Sequence, residues 1–174
     1  MNALITGGSG YFGSLLVNRL LLKNWNCRVF DLNAYNGSKS VEFLEGDIRD
    51  YTSLLDACKG VDVVFHNVAQ VPLAKDKNLF DSVNNLGTKN ILNACMKSRV
   101  KKLIYTSSSA VYGVPSTNPV TEKMLPKPME SYGQAKYDAE RLCEDYISDK
   151  FDVIIVRPRT ILGHGRLGIF QILF

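Results

Sequence analysis

Tyr132 and Lys136 stand four residues apart in the run Tyr132-Gly133-Gln134-Ala135-Lys136. In a helix that spacing puts both side chains on one face, roughly 6 Å apart along the axis. A phenol ionises near pH 10, too high for a base at neutral pH. An ammonium about 4 Å away is worth on the order of 4 kcal/mol at an effective dielectric of 20, or nearly three pKa units. The pair can therefore generate a tyrosinate that takes a proton from a hydroxyl group. Taken alone, a Tyr–Lys pair at this spacing is more often a surface feature.

The run Tyr105-Thr106-Ser107-Ser108-Ser109-Ala110-Val111-Tyr112-Gly113 changes that balance. An apolar strand delivers three consecutive serines at its C-terminal end, where open α/β sheets bind their ligands. A serine there can hydrogen-bond a developing alkoxide or carbonyl oxygen. In isolation the serines would be read as loop caps.

A third group sits near the N-terminus, in Thr6-Gly7-Gly8-Ser9-Gly10-Tyr11-Phe12-Gly13. Its glycines at 7, 10 and 13 fall between an apolar strand and an amphipathic helix. Gly7 permits the tight turn, Gly10 lets backbone approach a pyrophosphate, and Gly13 lets helix and strand pack closely, with the helix N-terminus facing the phosphate charge. No Gly-Lys-Ser/Thr follows, which disfavours a nucleotide triphosphatase loop. Asp31, at the end of the next strand, is placed to accept hydrogen bonds from an adenosine ribose. A 2′-phosphate would meet its negative charge and no arginine follows it directly, so NAD is favoured over NADP. Asp47 can accept from an adenine amino group while Ile48 covers the ring; helix capping by Asp47 or Asp50 is an equal reading.

The elements that must position these groups alternate along the chain. Strands are expected at residues 2–6, 27–32, 41–44, 62–65, 102–106 and 153–156, with helices at 11–23, 52–58, 77–98 and 131–149. Residues 11–23 place Phe12, Leu15, Leu16, Val17, Leu20 and Leu21 at helical spacing. Short apolar strands separated by amphipathic helices indicate right-handed βαβ crossovers, hence an α/β, doubly wound parallel sheet of the Rossmann type. Residues 1–160 are expected to form the dinucleotide-binding domain with the chemical residues, and 161–174 the start of a substrate-binding region. The apolar run Ile169–Phe174 has no stop signal, so the substrate domain is expected to be largely missing from a truncated chain.

In these motifs the chain resembles the extended branch of the short-chain dehydrogenase/reductase superfamily, the NAD-dependent epimerases and dehydratases, and above all the nucleotide-sugar epimerases. TGGSGYFG resembles the family's glycine loop, YTSSSAVYG its serine strand and YGQAK its Tyr–Lys pair. Further matches are GDIRD, VFHNVA, the helix segment Asn84-Asn85-Leu86-Gly87-Thr88 and Arg157-Pro158, in order from residue 5 to about 165. Aligned on Val111-Tyr112-Gly113, the resemblance implies Ser108 as the catalytic hydroxyl residue, Tyr132 as the base, and Lys136 as its electrostatic partner and a ribose contact. It also implies cofactor contacts from Tyr11, Phe12, Ala69, Asn84 and Pro158, besides Gly7, Gly10, Gly13, Asp31, Asp47, Ile48, Tyr132 and Lys136.

Departures narrow the expectation. The dehydratases carry an Asp-Glu pair directly after the catalytic hydroxyl residue, where this chain has Ser109 and Ala110. Val68 and Gln70 stand where small residues are common, at the cofactor edge of the pocket. The implied activity is epimerisation of a nucleotide-sugar by transient hydride abstraction. Net oxidoreduction by a hydroxysteroid dehydrogenase-like enzyme or sugar reductase is the alternative, and a non-catalytic NAD-binding scaffold the third reading.

Composition is consistent with this and excludes other classes. With 45% hydrophobic and 22% charged residues and a net charge of +4, the chain is an ordinary globular protein. Its basic residues are scattered, Lys101-Lys102 being the only adjacent pair, which argues against a nucleic-acid surface. Met1 is followed almost at once by the apolar strand Ala3-Leu4-Ile5, with no basic n-region or cleavage site, and no apolar run reaches membrane-spanning length, so a cytoplasmic location is expected. Cys27, Cys58, Cys95 and Cys143 are widely spaced, and His66 and His164 have no partner at ligand spacing; free buried thiols and no metal are expected. The sequence leaves the oligomeric state open; relatives of the family often dimerise through the two long helices, here 77–98 and 131–149, so the resemblance makes a homodimer one possible assembly.

Overall fold

The computed structural model describes residues 1–70 and 77–163. Six parallel strands form one sheet: β1 (Asn2–Thr6), β2 (Asn26–Asp31), β3 (Glu42–Glu45), β4 (Val63–His66), β5 (Lys102–Thr106) and β6 (Asp152–Val156). Their order is β3-β2-β1-β4-β5-β6. The chain runs outward from β1 to β3 and then crosses back to β4, so a topological switch opens between the C-terminal ends of β1 and β4. The expected strands are all present, displaced by no more than one or two residues at their ends. Residues 164–174, including the apolar run at 169–174, lie outside the described residues.

Alternation along β1 decides which helix covers which face. Leu4 packs with α2 (Tyr51–Ala57), α4 (Gly87–Lys97) and α5 (Ser131–Asp145), whereas Ala3 and Ile5 pack with α1 (Tyr11–Leu21). The α1 stripe is narrower than its sequence suggests. Gly13, Val17 and Leu20 are buried, but Leu15 is 52% exposed. Among the described residues no helix is long and apolar enough to cross a membrane.

The helix expected at 77–98 is present as one continuous helical run to Lys97 that widens over one turn. It consists of α3 (Lys77–Asp81), one wide π-helical turn (Ser82–Leu86) and α4. Such turns often mark places where side chains compete for helical backbone groups. Here the Thr88 hydroxyl donates to the Asn84 carbonyl at 2.6 Å, while the Asn84 side chain is committed to the Gln70 peptide. A Cβ on Gly87 would come within 2.7 Å of the Ile48 side chain, so this helix start approaches the loop after β3 closely.

The same turn fixes a buried histidine. Because Thr88 donates its proton to Asn84, it can only accept from His66 Nε2, at 3.3 Å. His66 Nδ1 then accepts from the Thr6 hydroxyl at 2.8 Å. His66 is thus held neutral in one tautomer, and burial, aided by the Lys136 charge, lowers its pKa to about 3. In the unfolded chain it titrates near 6.5, so between pH 6.5 and 3 the unfolded state holds a proton that the folded state lacks. Stability is therefore expected to fall on acidification from pH 6.5 to 4.5 by about 1.4 kcal/mol per pH unit at the steepest. Denaturant melts across that range should show the slope in the wild type. In His66→Gln it should be nearly flat; an unchanged slope would remove His66 as its source.

Candidate active site

A cleft of about 880 Å³ runs along the C-terminal ends of the strands, across the switch between β1 and β4. Its walls include Gly7, Gly10, Tyr11, Phe12, Gly13, Asp31, Asp47, Ile48, Ala69, Ser108, Tyr132, Lys136 and Pro158. Of the residues singled out in the sequence, Asn84 is off that wall. Its amide both donates to and accepts from the Gln70 backbone at 3.1 Å, so it holds the loop that carries Ala69 and makes no contact in the cleft.

One end is built by the turn between β1 and α1. Gly7 lies at φ +72°, and its N–H donates to the Phe30 carbonyl at 2.9 Å. A Cβ on Gly13 would overlap the Gly7 carbonyl and come within 2.7 Å of Gly8 Cα, so α1 starts directly against the turn. Gly10 is the N-cap of α1 and supplies no capping side chain, and the first turn carries no acid. Its N–H groups and dipole are left for an anion. Asp31 closes this end. Its two oxygens accept from Ser9 N and Asn33 N, each at 3.0 Å, and each keeps lone pairs for a sugar hydroxyl.

Beyond Asp31, Asp50 takes the helix-capping role, accepting from Thr52 N and Ser53 N at the start of α2. Asp47 does not cap. Arg49 bonds both of its oxygens, and this contact holds the Asp47 carboxyl below its ordinary pKa. Arg49 itself lines the cleft, which the sequence reading missed. Asn90 reaches from α4 to the Arg49 carbonyl at 2.8 Å, so the wall formed by Asp47 and Ile48 is held from behind.

The other end gathers the hydroxyls and the ammonium. Ser108 is extended, at φ −157°, and its Oγ accepts from Ala110 N at 3.1 Å, opening the short 3₁₀ turn Ser109–Tyr112. That leaves its O–H for a partner in the cleft. Ser107 is different, because its O–H is spent on the buried Glu140 carboxylate at 2.5 Å. Tyr132 and Lys136 project from the first turns of α5 into the same cleft. The helix reaches the turn because residue 133 is glycine: a Cβ there would lie 2.6 Å from the Ala110 carbonyl oxygen. A glycine between the tyrosine and the lysine was the signal for this contact.

Lys136 is 3% exposed. Its Nζ donates to the Thr106 carbonyl at 2.7 Å and lies 4.8 Å from the centre of the Tyr105 ring. Burial lowers its pKa to about 8. It stays charged at neutral pH, as support of a phenolate requires, and loses that charge on the alkaline side.

These features test whether a dinucleotide fits. The uncapped helix start suits a pyrophosphate and Asp31 suits a ribose. Between them and the serine strand, Asn67 turns its Oδ1 to the Thr106 hydroxyl and leaves a buried Nδ2 without a hydrogen-bond partner. The donor set suits a dinucleotide.

Residues 3–170 match the NAD dependent epimerase/dehydratase family. The chain belongs to that family. It is 53% identical over 174 residues to "Uncharacterized protein y4nG" of Sinorhizobium fredii, covering 99% of this chain and 44% of that protein. It is 36% identical over 166 residues to the mouse "Sterol-4-alpha-carboxylate 3-dehydrogenase, decarboxylating", covering 91% and 45%. Among solved structures, the NAD complex of Thermus thermophilus UDP-glucose 4-epimerase superposes with a TM-score of 0.83 at 31% identity, covering 90% of this chain and 54% of that one. The chain thus spans about half the length of these relatives.

The two helix-start glycines separate packing from ligand approach. Gly13→Ala is expected to lose about 1–3 kcal/mol of stability, since backbone atoms must move to admit the methyl group. Gly10 has ordinary φ −73°, and a Cβ there meets only the Gly7 carbonyl at 3.3 Å. Gly10→Ala should melt close to the wild type yet bind NAD about tenfold more weakly or worse, equivalent to about 1.4 kcal/mol. Calorimetric titration with NAD beside thermal melts checks both.

Proposed function

We propose that this chain carries the NAD-binding and catalytic portion of a nucleotide-sugar epimerase. The observation that carries the reading is the sharing of one cleft. Ser108, Tyr132 and Lys136 lie at one end, and Asp31 with the uncapped start of α1 lies at the other.

The chain's own groups supply the proton chemistry. Tyr132 takes the proton from a sugar hydroxyl, and Ser108, with its O–H unspent, donates to the same oxygen as it becomes a carbonyl. Lys136 lies beyond Tyr132 on the helix face and favours the phenolate while charged, that is, below pH 8. Gly7, Gly10, Tyr11, Phe12, Gly13, Asp31, Asp47, Ile48, Ala69 and Pro158 would hold NAD. NAD, when bound, supplies the hydride acceptor at the carbon being oxidised and the donor that restores it.

Net dehydrogenation is the second reading, favoured by the 36% identity to a protein named as a sterol dehydrogenase. Incubation of a protein in which this portion is joined to a substrate domain, with UDP- or dTDP-sugars at a trace of NAD, separates the two. The epimerase reading expects many turnovers per cofactor, and product only in proportion to NAD consumed would sink it in favour of the dehydrogenase. Tyr132→Phe is expected to lower turnover about 10²–10⁴-fold, with NAD affinity nearly unchanged. Full activity in that variant would remove Tyr132 as the base.

A further inference from the structure

Behind the cleft lies a cluster that the proposed chemistry does not itself use. Glu140, one turn beyond Lys136 on the buried face of α5, is 1% exposed. Its carboxylate accepts from Ser107 Oγ at 2.5 Å, from Arg157 Nε at 2.9 Å and from Arg157 Nη2 at 2.7 Å. Arg157 then donates through Nη1 to the Tyr112 hydroxyl at 2.7 Å, with its guanidinium 5.1 Å from the Tyr112 ring centre.

Each bond ends beside a residue of the site. Ser107 precedes Ser108, and Tyr112 ends the turn that Ser108 caps. Arg157 precedes Pro158, whose carbonyl accepts from Ser109 N at 2.9 Å. One carboxylate therefore joins α5, the end of β5, the following turn and the end of β6, the four pieces that carry Tyr132, Lys136, Ser108 and Pro158. We infer that Glu140 is a positioning residue of this site, holding Ser108 at the end of β5 and keeping Lys136 charged, with Arg157 as the counter-ion that makes its burial tolerable.

The charge argument depends on what faces Lys136. Tyr132, Glu140 and Cys143 lie on its own helix, Tyr105 on β5 and His66 on β4, while Arg157, just past β6, is bonded to Glu140. Burial pushes Cys143 up to about 12 and raises Tyr105 strongly, so both are neutral near pH 8. His66 is neutral there as well. Glu140 is the anion that remains to oppose the burial of the ammonium. A buried carboxylate kept only for stability would leave the lysine's titration and the reaction's pH profile untouched when replaced.

This inference rests on the proposed function for its kinetic arm only. The direct test is a ¹³C,¹⁵N-lysine NMR titration of the full chain, with Lys136→Met to assign the signal, comparing the wild type with Glu140→Gln. The wild-type signal is expected to titrate near pH 8, and in E140Q about one pH unit or more lower, as loss of a nearby buried charge requires. In turnover assays E140Q should lower kcat about tenfold at pH 8 with KM changed far less, and its alkaline limb should move to lower pH. A folded E140Q with the wild-type titration and pH profile overturns the inference. If E140Q does not fold, Ser107→Ala carries the test, since it removes the bond next to Ser108 and spares the ion pair. It should lower kcat severalfold with the Lys136 titration unchanged, and wild-type kcat would overturn the positioning of Ser108. A wild type that turns over no sugar while E140Q still shifts the titration would sink the proposed function and leave the role of Glu140 standing.

Discussion

A buried ammonium organises the chemical end of this protein. Taking a lysine charge out of water costs several kcal/mol unless hydrogen bonds and an opposing charge compensate it. Lys136 has the Thr106 carbonyl, the face of Tyr105 and, one helical turn away, the Glu140 carboxylate. Each partner constrains an element. The Thr106 bond requires β5 to end there with its last carbonyl turned toward α5. The approach of α5 needs a glycine at 133. Glu140, buried in turn, draws Arg157 from the end of β6. Satisfying one charge thereby links two strand ends and a helix start, beside the serine presented to the cleft.

Much of this could be read from the sequence because the signals are local. Period-two and near-four-residue apolar patterns report strands and helices, and their alternation fixes a parallel sheet. The glycine turn and the Tyr–Lys pair are legible since their roles follow from spacing along one element. What was not legible depends on partners far away in the chain. The wide turn within the helix at 77–98 coincides with the Asn84 side chain bonding the Gln70 backbone and Thr88 the Asn84 carbonyl, and no periodicity shows it. Asn84, expected as a cofactor contact, has its amide bonded to the Gln70 backbone, a partner that sequence spacing does not show. Glu140 lies at readable helical spacing from Lys136, but Ser107 and Arg157, which give it meaning, come from two different strand ends.

The two ends of the cleft are made by different halves of the sheet. The β1-β2-β3 side presents Gly10, Asp31 and the Asp47–Arg49 pair, suited to a diphosphate and an adenosine. The β4-β5-β6 side presents Asn67, Ser108, Tyr132 and Lys136. Thr6 and His66, at the ends of the two strands flanking the switch, are bonded to each other at 2.8 Å, so the halves are joined below the floor of the cleft. With Nδ1 as the acceptor, that bond needs a neutral imidazole. A positive lysine nearby favours one, and the buried charge on the chemical side thus bears on the junction between the halves as well.

The distribution of carboxylates limits which reactions the cleft can support. Elimination of water from a keto-sugar needs a second acid–base pair next to the group that handles the carbinol proton. Among the described residues of the cleft wall the carboxylates are Asp31 and Asp47, both at the adenosine end. The positions after Ser108 carry Ser109, whose N–H is tied to Pro158, and Ala110, whose N–H is tied to Ser108. Glu140 is near in sequence to the chemical groups, but three hydrogen bonds hold it behind the wall. On the proposed function, what remains is one proton-transfer centre, with Tyr132 and Ser108 serving it under the field of Lys136. A single such centre suits oxidation at one carbon and the reversal of that oxidation, which is the half-reaction that epimerases and dehydrogenases share.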